Sequence, residues 1–167
     1  GDLSEDLLLE AMAIPALHAI PDLKLLIAGE FYEEAKPYLY LIEKHGLQDR
    51  LVLRTDFIPN AEVRHYFCAA DLVVQPYRHA TQSGVTQVAY HFDKPMVVTN
   101  VGGLSELVPH GEVGYVVEPN PEAIAAAILD FYTSAKAAVF AQNISRYKER
   151  FSWSRFVEAV YELGEKV

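Results

Sequence analysis

Short apolar runs alternate with stretches of helical periodicity up to Val117, and this alternation constrains the chain more than any other feature. Lys24-Leu25-Leu26-Ile27-Ala28 runs into Gly29, and Leu51-Val52-Leu53, Leu72-Val73-Val74, Met96-Val97-Val98-Thr99 and Gly114-Tyr115-Val116-Val117 follow it. A run that is apolar at successive positions suits a strand covered on both faces, since a strand with one wet face would alternate. Between the runs, Leu7, Leu8, Ala11, Ile14, Pro15, Leu17 and His18 read as one helical face. Ser4 is a candidate N-cap for that helix, with Glu5 and Asp6 where the helix dipole favours anions. Phe31 to His45 reads as a helix stopped by Gly46, Asn60 can cap a helix through Ala69, Ser83 to Phe92 is a helix, and Ser105 to Val108 is a short helical turn. Strands alternating with helices imply right-handed crossovers and a parallel sheet covered on both faces, an α/β fold. After Pro119 the pattern becomes wholly helical. Asn120-Pro121-Glu122 combines a cap, a first-position proline and a first-turn acid, and helices over Ala123 to Tyr132, Ala135 to Glu149 and Trp153 to Glu165 follow.

Composition narrows the class. The 167 residues, 51% of them hydrophobic, suit one domain over 1–167. A chain of this length buries about 70% of its unfolded surface without a disulfide or metal staple. The net charge of −9 argues against a general nucleic-acid binder. No apolar run reaches the length of a membrane span. The acidic opening Gly1-Asp2-Leu3-Ser4-Glu5-Asp6 is not a signal peptide, and a start without Met, close to a helix pattern, suggests a piece of a longer protein. The lone Cys68 points to a reducing compartment. It has no CxxC partner, and no histidine pair has metal-ligand spacing, so no metal site is expected. His18, His45, His65, His91 and His110 fall on helix faces or in turns and read as packed or solvated, whereas His79 lies nearer the sites considered next.

In an open parallel sheet, ligands bind beyond the carboxyl ends of the strands. Four segments fall there: Gly29-Glu30, Phe57-Ile58-Pro59, Tyr77 to Gly84, and Asn100 to Glu106. Each places small or flexible residues next to a helix start, as a phosphate requires, because backbone N–H groups must approach it closely. In Ala80-Thr81-Gln82-Ser83-Gly84-Val85, Ser83 can cap the following helix and Gly84 admits a ligand to the backbone; a capped turn explains the same residues equally well. In Val101-Gly102-Gly103-Leu104-Ser105-Glu106, the paired glycines permit either a tight turn or close ligand approach. Glu106 either serves the dipole of its short helix or faces a ligand. GxGxxG and GxxxxGK[ST] are both absent, which argues against a dinucleotide dehydrogenase and a P-loop NTPase. Ser83 lacks a G-x-S-x-G elbow, which argues against a hydrolase nucleophile.

In order, Leu25-Leu26-Ile27-Ala28-Gly29, Phe57-Ile58-Pro59-Asn60, Ala70 to Pro76, Lys94 to Glu106 and Gly111 to Val117 closely resemble the C-terminal half of group 1 glycosyltransferases, the retaining GT-B enzymes of family 4. The likeness runs from Leu7 to Phe151-Ser152-Trp153 and is most specific over Asp93 to Glu106. The resemblance implies a Rossmann-like parallel sheet flanked by helices, with a helical C-terminal tail, as one half of a two-domain enzyme. It implies a nucleotide-sugar donor, held along Gly29, Glu30, Ile58, Thr81, Gln82, Ser83, Gly84, Val85, Gly102 and Gly103, with Glu106 on the donor side as the catalytic candidate. No metal or cofactor is implied. The resemblance further implies an N-terminal acceptor domain as the missing partner and a cytoplasmic location, with membrane-surface association left open through that missing half. The family's usual glutamate pair falls here at Ala80 and Val88, which cannot accept hydrogen bonds from sugar or ribose through their side chains; Gln87 is the nearest polar substitute. The basic residues that clamp the donor phosphates would lie ahead of Gly1. A nucleotide-sugar epimerase of the same architecture is a second reading, and a receiver-like switch module, which would need an acidic cluster at the strand ends, is a third.

Overall fold

In a computed structural model, residues 5–28, 36–54, 59–78 and 84–147 are described. Among these, β4 (Met96–Thr99) is the deepest strand, buried at all four positions. It runs parallel between β3 (Val73–Gln75) and β5 (Gly114–Val117), in the registers Val73↔Met96 and Met96↔Gly114. Its alternate residues feed opposite faces. Met96 and Val98 pack with Tyr90, Leu104 and Ile144, whereas Val97 packs with Tyr115, Ala127, Phe131 and Phe140. That division explains why the run has no polar position until Thr99.

β1 (Leu25–Ala28) and β2 (Leu51–Arg54) form a second parallel pair, in the register Leu25↔Leu51. The sequence suggests one continuous sheet, but the described residues form a two-stranded and a three-stranded sheet instead. One apolar cluster bridges them. It is built on Leu7, Leu9 and Met12 of α1 (Glu5–Met12) and Ile124 and Ile128 of α6 (Pro121–Thr133), with Leu25, Leu53, Leu72 and Val74 packed against it.

Several boundaries differ from the sequence reading. The first helix does not reach His18. It ends at Met12, and Pro15 opens a separate 3₁₀ turn, Pro15–Ala19, because proline has no N–H to continue the ladder. His18 is exposed. Carbonyls on both sides of Pro15 gain a partner from far along the chain: Arg50 donates from Nη1 to Met12 O at 3.1 Å and from Nη2 to Leu17 O at 3.2 Å. α2 is described over Lys36–Lys44, and its expected start at Phe31 lies outside the described residues. α3 (Asn60–Ala69) is capped by Pro59, with Asn60 already its first residue. The third strand is displaced by one residue from Leu72–Val74 to Val73–Gln75. α4 is described over Gly84–His91 and α7 over Ala137–Tyr147, with the expected Ser83 start and Glu149 end outside the described residues, and α5 is Leu104–Leu107. Asn120 caps α6 as its sequence suggests, its Oδ1 accepting from Ala123 N at 2.8 Å. Ser4 and the Trp153 helix lie outside the described residues. Among the described residues no single helix is long and apolar enough to cross a membrane.

Candidate functional site

β3 and β4 are hydrogen-bonded neighbours, so the segments leaving their carboxyl ends emerge side by side. The two ends are tied together. Thr99, last in β4 and buried, donates from Oγ1 to the carbonyl of Tyr77 at 2.6 Å. Inside the core, Thr86 of α4 donates from Oγ1 to Oε1 of Gln75 at 3.2 Å, which sets the start of α4 against β3. Further back, the Tyr90 hydroxyl donates to the carbonyl of Leu107 and binds α4 to α5. Three polar contacts in an otherwise apolar region thus tie α4 to β3 and to the end of α5, and the end of β4 to the segment after β3. Buried polar pairs of this kind specify geometry, since breaking one leaves a desolvated group without compensation.

The expected site residues divide between described and undescribed segments. Gly84 and Val85 open α4, whose first turn carries no acid. Gly102 makes the turn out of β4 with φ +53°, in the left-handed region that glycine adopts without a Cβ penalty. Gly103 follows as the N-cap of α5, and a Cβ built there meets nothing within 4 Å. Both glycines are exposed, and so is Glu106 in α5. Gly84 and Val85 thus follow the carboxyl end of β3 in the chain, and Gly102, Gly103 and Glu106 that of β4. Gly29, Glu30, Ile58, Thr81, Gln82 and Ser83 lie outside the described residues, as do His79 and Ala80. Val88, at one of the two places that carry glutamate in the resembling family, is completely buried in α4, so that position serves the core here. Gln87 beside it is half-buried.

Three residues at this edge escaped the sequence reading. Thr99 and Gln75 looked like the ends of apolar runs, and nothing local marks a hydrogen bond across strands. Arg78 belongs to a segment already placed at the ligand edge, yet only the geometry shows it joined to Asp6 in the first turn of α1, at 2.5 Å. His110 is exposed and structural, its Nδ1 accepting from Val116 N at 3.0 Å. The strongest electrostatic perturbations lie away from the edge. Burial raises the Tyr115 hydroxyl far above its usual range, and Asp130, which accepts its hydrogen bond at 2.5 Å, raises it further. Burial also pushes Tyr132 up to about 12, with Asp71 adding to the shift.

The profile described as "Glycosyl transferases group 1" matches residues 4–134. D-inositol 3-phosphate glycosyltransferase of Paenarthrobacter aurescens is 30% identical over 138 residues, a match covering 80% of this chain and 33% of that enzyme. HepE of Anabaena, solved in complex with UDP-glucose, superposes with a TM-score of 0.77 at 23% identity, over 98% of this chain and 44% of that one. The C-terminal domain of a group 1 glycosyl transferase (LpcC) of Francisella tularensis superposes with a TM-score of 0.77 at 21% identity, over 89% of this chain and 79% of that domain. The chain thus spans about a third of its bacterial curated relative.

Proposed function

Because the chain belongs to the group 1 glycosyl transferases, we propose that residues 1–167 form one Rossmann-like domain that binds a nucleotide-sugar donor, as half of a larger enzyme that moves the sugar to an acceptor with retention. The observation that carries this reading is the paired opening of α4 and the Gly102-Gly103 turn at the carboxyl ends of adjacent parallel strands. A diphosphate there would meet the first amides of α4 and a turn without side chains, in the positive end field of a helix. Retaining transfer builds negative charge on the leaving diphosphate, and fixed backbone donors stabilise such charge without reorganising. Gly84, Val85, Gly102 and Gly103, with Thr81, Gln82 and Ser83, would surround the diphosphate and sugar. Gly29, Glu30 and Ile58 would lie along the nucleotide, and Glu106 would stand on the donor side.

In this reading the transfer needs no metal or cofactor, because backbone amides meet the diphosphate charge. The acceptor domain would come from the N-terminal part of a longer protein, acting in the cytoplasm with contact to a membrane surface through that part. Support for the donor class comes from HepE, whose structure holds UDP-glucose. The family match favours this reading over a receiver-like module. An epimerase of the same architecture is separated by its products, since only transfer releases free nucleotide in proportion to glycosylated acceptor. The direct test is calorimetric titration of this chain with UDP-, GDP- and ADP-sugars, alongside an assay for released nucleotide. Weak binding of one class without turnover is expected. Absence of binding to all three at millimolar ligand overturns the donor-site reading.

A further inference from the structure

We propose that Arg78 is a diphosphate-binding residue, paired with Asp6 in the empty site and released from it when a nucleoside diphosphate binds. The proposal deepens the donor-site reading and rests on it. The turns that leave β3, β4 and β5 are described over 76–78, 100–103 and 118–120. Their charged side chains are Arg78 after β3 and Glu118 after β5, so Arg78 is the one cation among these described residues. Glu106 follows in α5, and the whole chain carries a net charge of −9. A nucleoside diphosphate is a polyanion, and the field of an acidic chain opposes its approach unless a local cation meets it. Backbone amides supply only partial charges, whereas a guanidinium supplies a full one and can hold two phosphate oxygens at once.

The fold fixes where this cation starts. Tyr77, its chain neighbour, is buried, and the Tyr77 carbonyl accepts from Thr99 Oγ1 at 2.6 Å. The backbone that carries Arg78 is thereby anchored beside the end of β4, three residues ahead of Gly102. From there the guanidinium reaches Asp6 in the first turn of α1, where Nη2 donates to Oδ2 at 2.5 Å. The first turn of α1 therefore lies within one arginine length of the edge where β3 and β4 end.

Three features favour exchange of this pair over a fixed brace. The pair is open to solvent, with 42% of the Arg78 side chain and 35% of the Asp6 side chain exposed, and such pairs contribute little to stability because water and salt screen them. α1 is docked without it, since Leu7, Leu9 and Met12 are buried in the core. Asp6 also has a use of its own, because an acid in the first turn complements the helix dipole. Asp6 thus acts as a restraint. It orders the arginine, competes with the ligand for it, and offers a single carboxylate where a diphosphate offers several charged oxygens.

The test is calorimetric titration of the 167-residue chain, and of its Asp6→Asn, Arg78→Ala and double variants, with UDP, GDP and ADP. For the diphosphate that binds, Arg78→Ala should weaken affinity about tenfold, by loss of a charge-assisted contact. Asp6→Asn should strengthen it about threefold, because the unpaired, competent arginine becomes more populated. In the double variant that gain should vanish, since no arginine remains to be released. Urea midpoints should stay close to wild type throughout, the pair being exposed. Asp6→Asn keeps the arginine, and so reads the proposal even where Arg78→Ala fails to fold. Weaker binding in Asp6→Asn makes the pair a brace and overturns the proposal. Unchanged affinity in Arg78→Ala overturns it too, as does a gain that survives in the double variant. In each of these cases the donor-site reading stands. A wild-type chain that binds none of the three at millimolar ligand overturns that reading, and this proposal with it.

Discussion

Replacing Gly114 by alanine should damage this fold more than any other single methyl group added at a described glycine. Gly114 opens β5 opposite Met96, and a Cβ there would stand 1.9 Å from the Met96 carbonyl oxygen and 2.8 Å from its carbon and nitrogen. These are backbone atoms of the most buried strand, so no rotamer change relieves the overlap. β5 must move away from β4 by more than an ångström or the ladder must open locally. The hydrogen bonds at risk are Met96 N to Val113 O, at 3.3 Å, and Gly111 N to Gly114 O, at 2.8 Å. Overpacking costs about 1–3 kcal/mol and each lost bond about 1 kcal/mol, so the loss should be about 3–5 kcal/mol. Domains of this size hold about 5–15 kcal/mol in total. The assay is urea unfolding followed by circular dichroism, with Gly46→Ala as the comparison. Gly46 has φ +62° and open space around its missing Cβ, so alanine there meets only the left-handed penalty of about 1–2 kcal/mol. A loss at Gly114 no larger than that at Gly46 would refute the close-approach reasoning.

Gly103→Val should leave the unfolding midpoint nearly unchanged, since its surroundings are empty, while abolishing nucleotide-sugar binding in titration; intact binding would displace the site. Glu106→Gln in the full-length enzyme should lower turnover more than stability, because the side chain is exposed and outside the core. Thr99→Val should cost about 1–3 kcal/mol by leaving the Tyr77 carbonyl without its buried donor, and Thr99→Ser should restore most of it; donor affinity should fall in the valine variant only. Stability should decline at both pH extremes. Asp130 is held low by hydrogen bonds from Tyr115 and Ser134, so its contribution is complete above the ordinary carboxylate range and is lost as pH falls through its folded value. Tyr132 is raised, so its contribution is complete below its unfolded value near 10 and is lost as pH rises toward about 12; urea midpoints across pH, with Tyr132→Phe flattening the alkaline side, check both signs.

What the sequence determined by itself is whatever neighbouring residues decide together. The β4 and β5 boundaries coincide with their apolar runs, and the α6 start coincides with Asn120-Pro121, because burial pattern and capping are local in the chain. That the segments after β3 and β4 leave one sheet edge was also legible, since strand-helix alternation forces successive carboxyl ends to the same side. Tertiary structure decided the rest, through contacts between residues far apart in sequence. Arg50 reaches the carbonyls of Met12 and Leu17, Thr99 reaches Tyr77, and Arg78 reaches Asp6. Val88 and Gly114 illustrate the limit most plainly. One is core rather than site, and the other is glycine because Met96 lies against it. Neither fact has a local signature, because each depends on which backbone the fold places opposite, and periodicity records only that something apolar or close will be there.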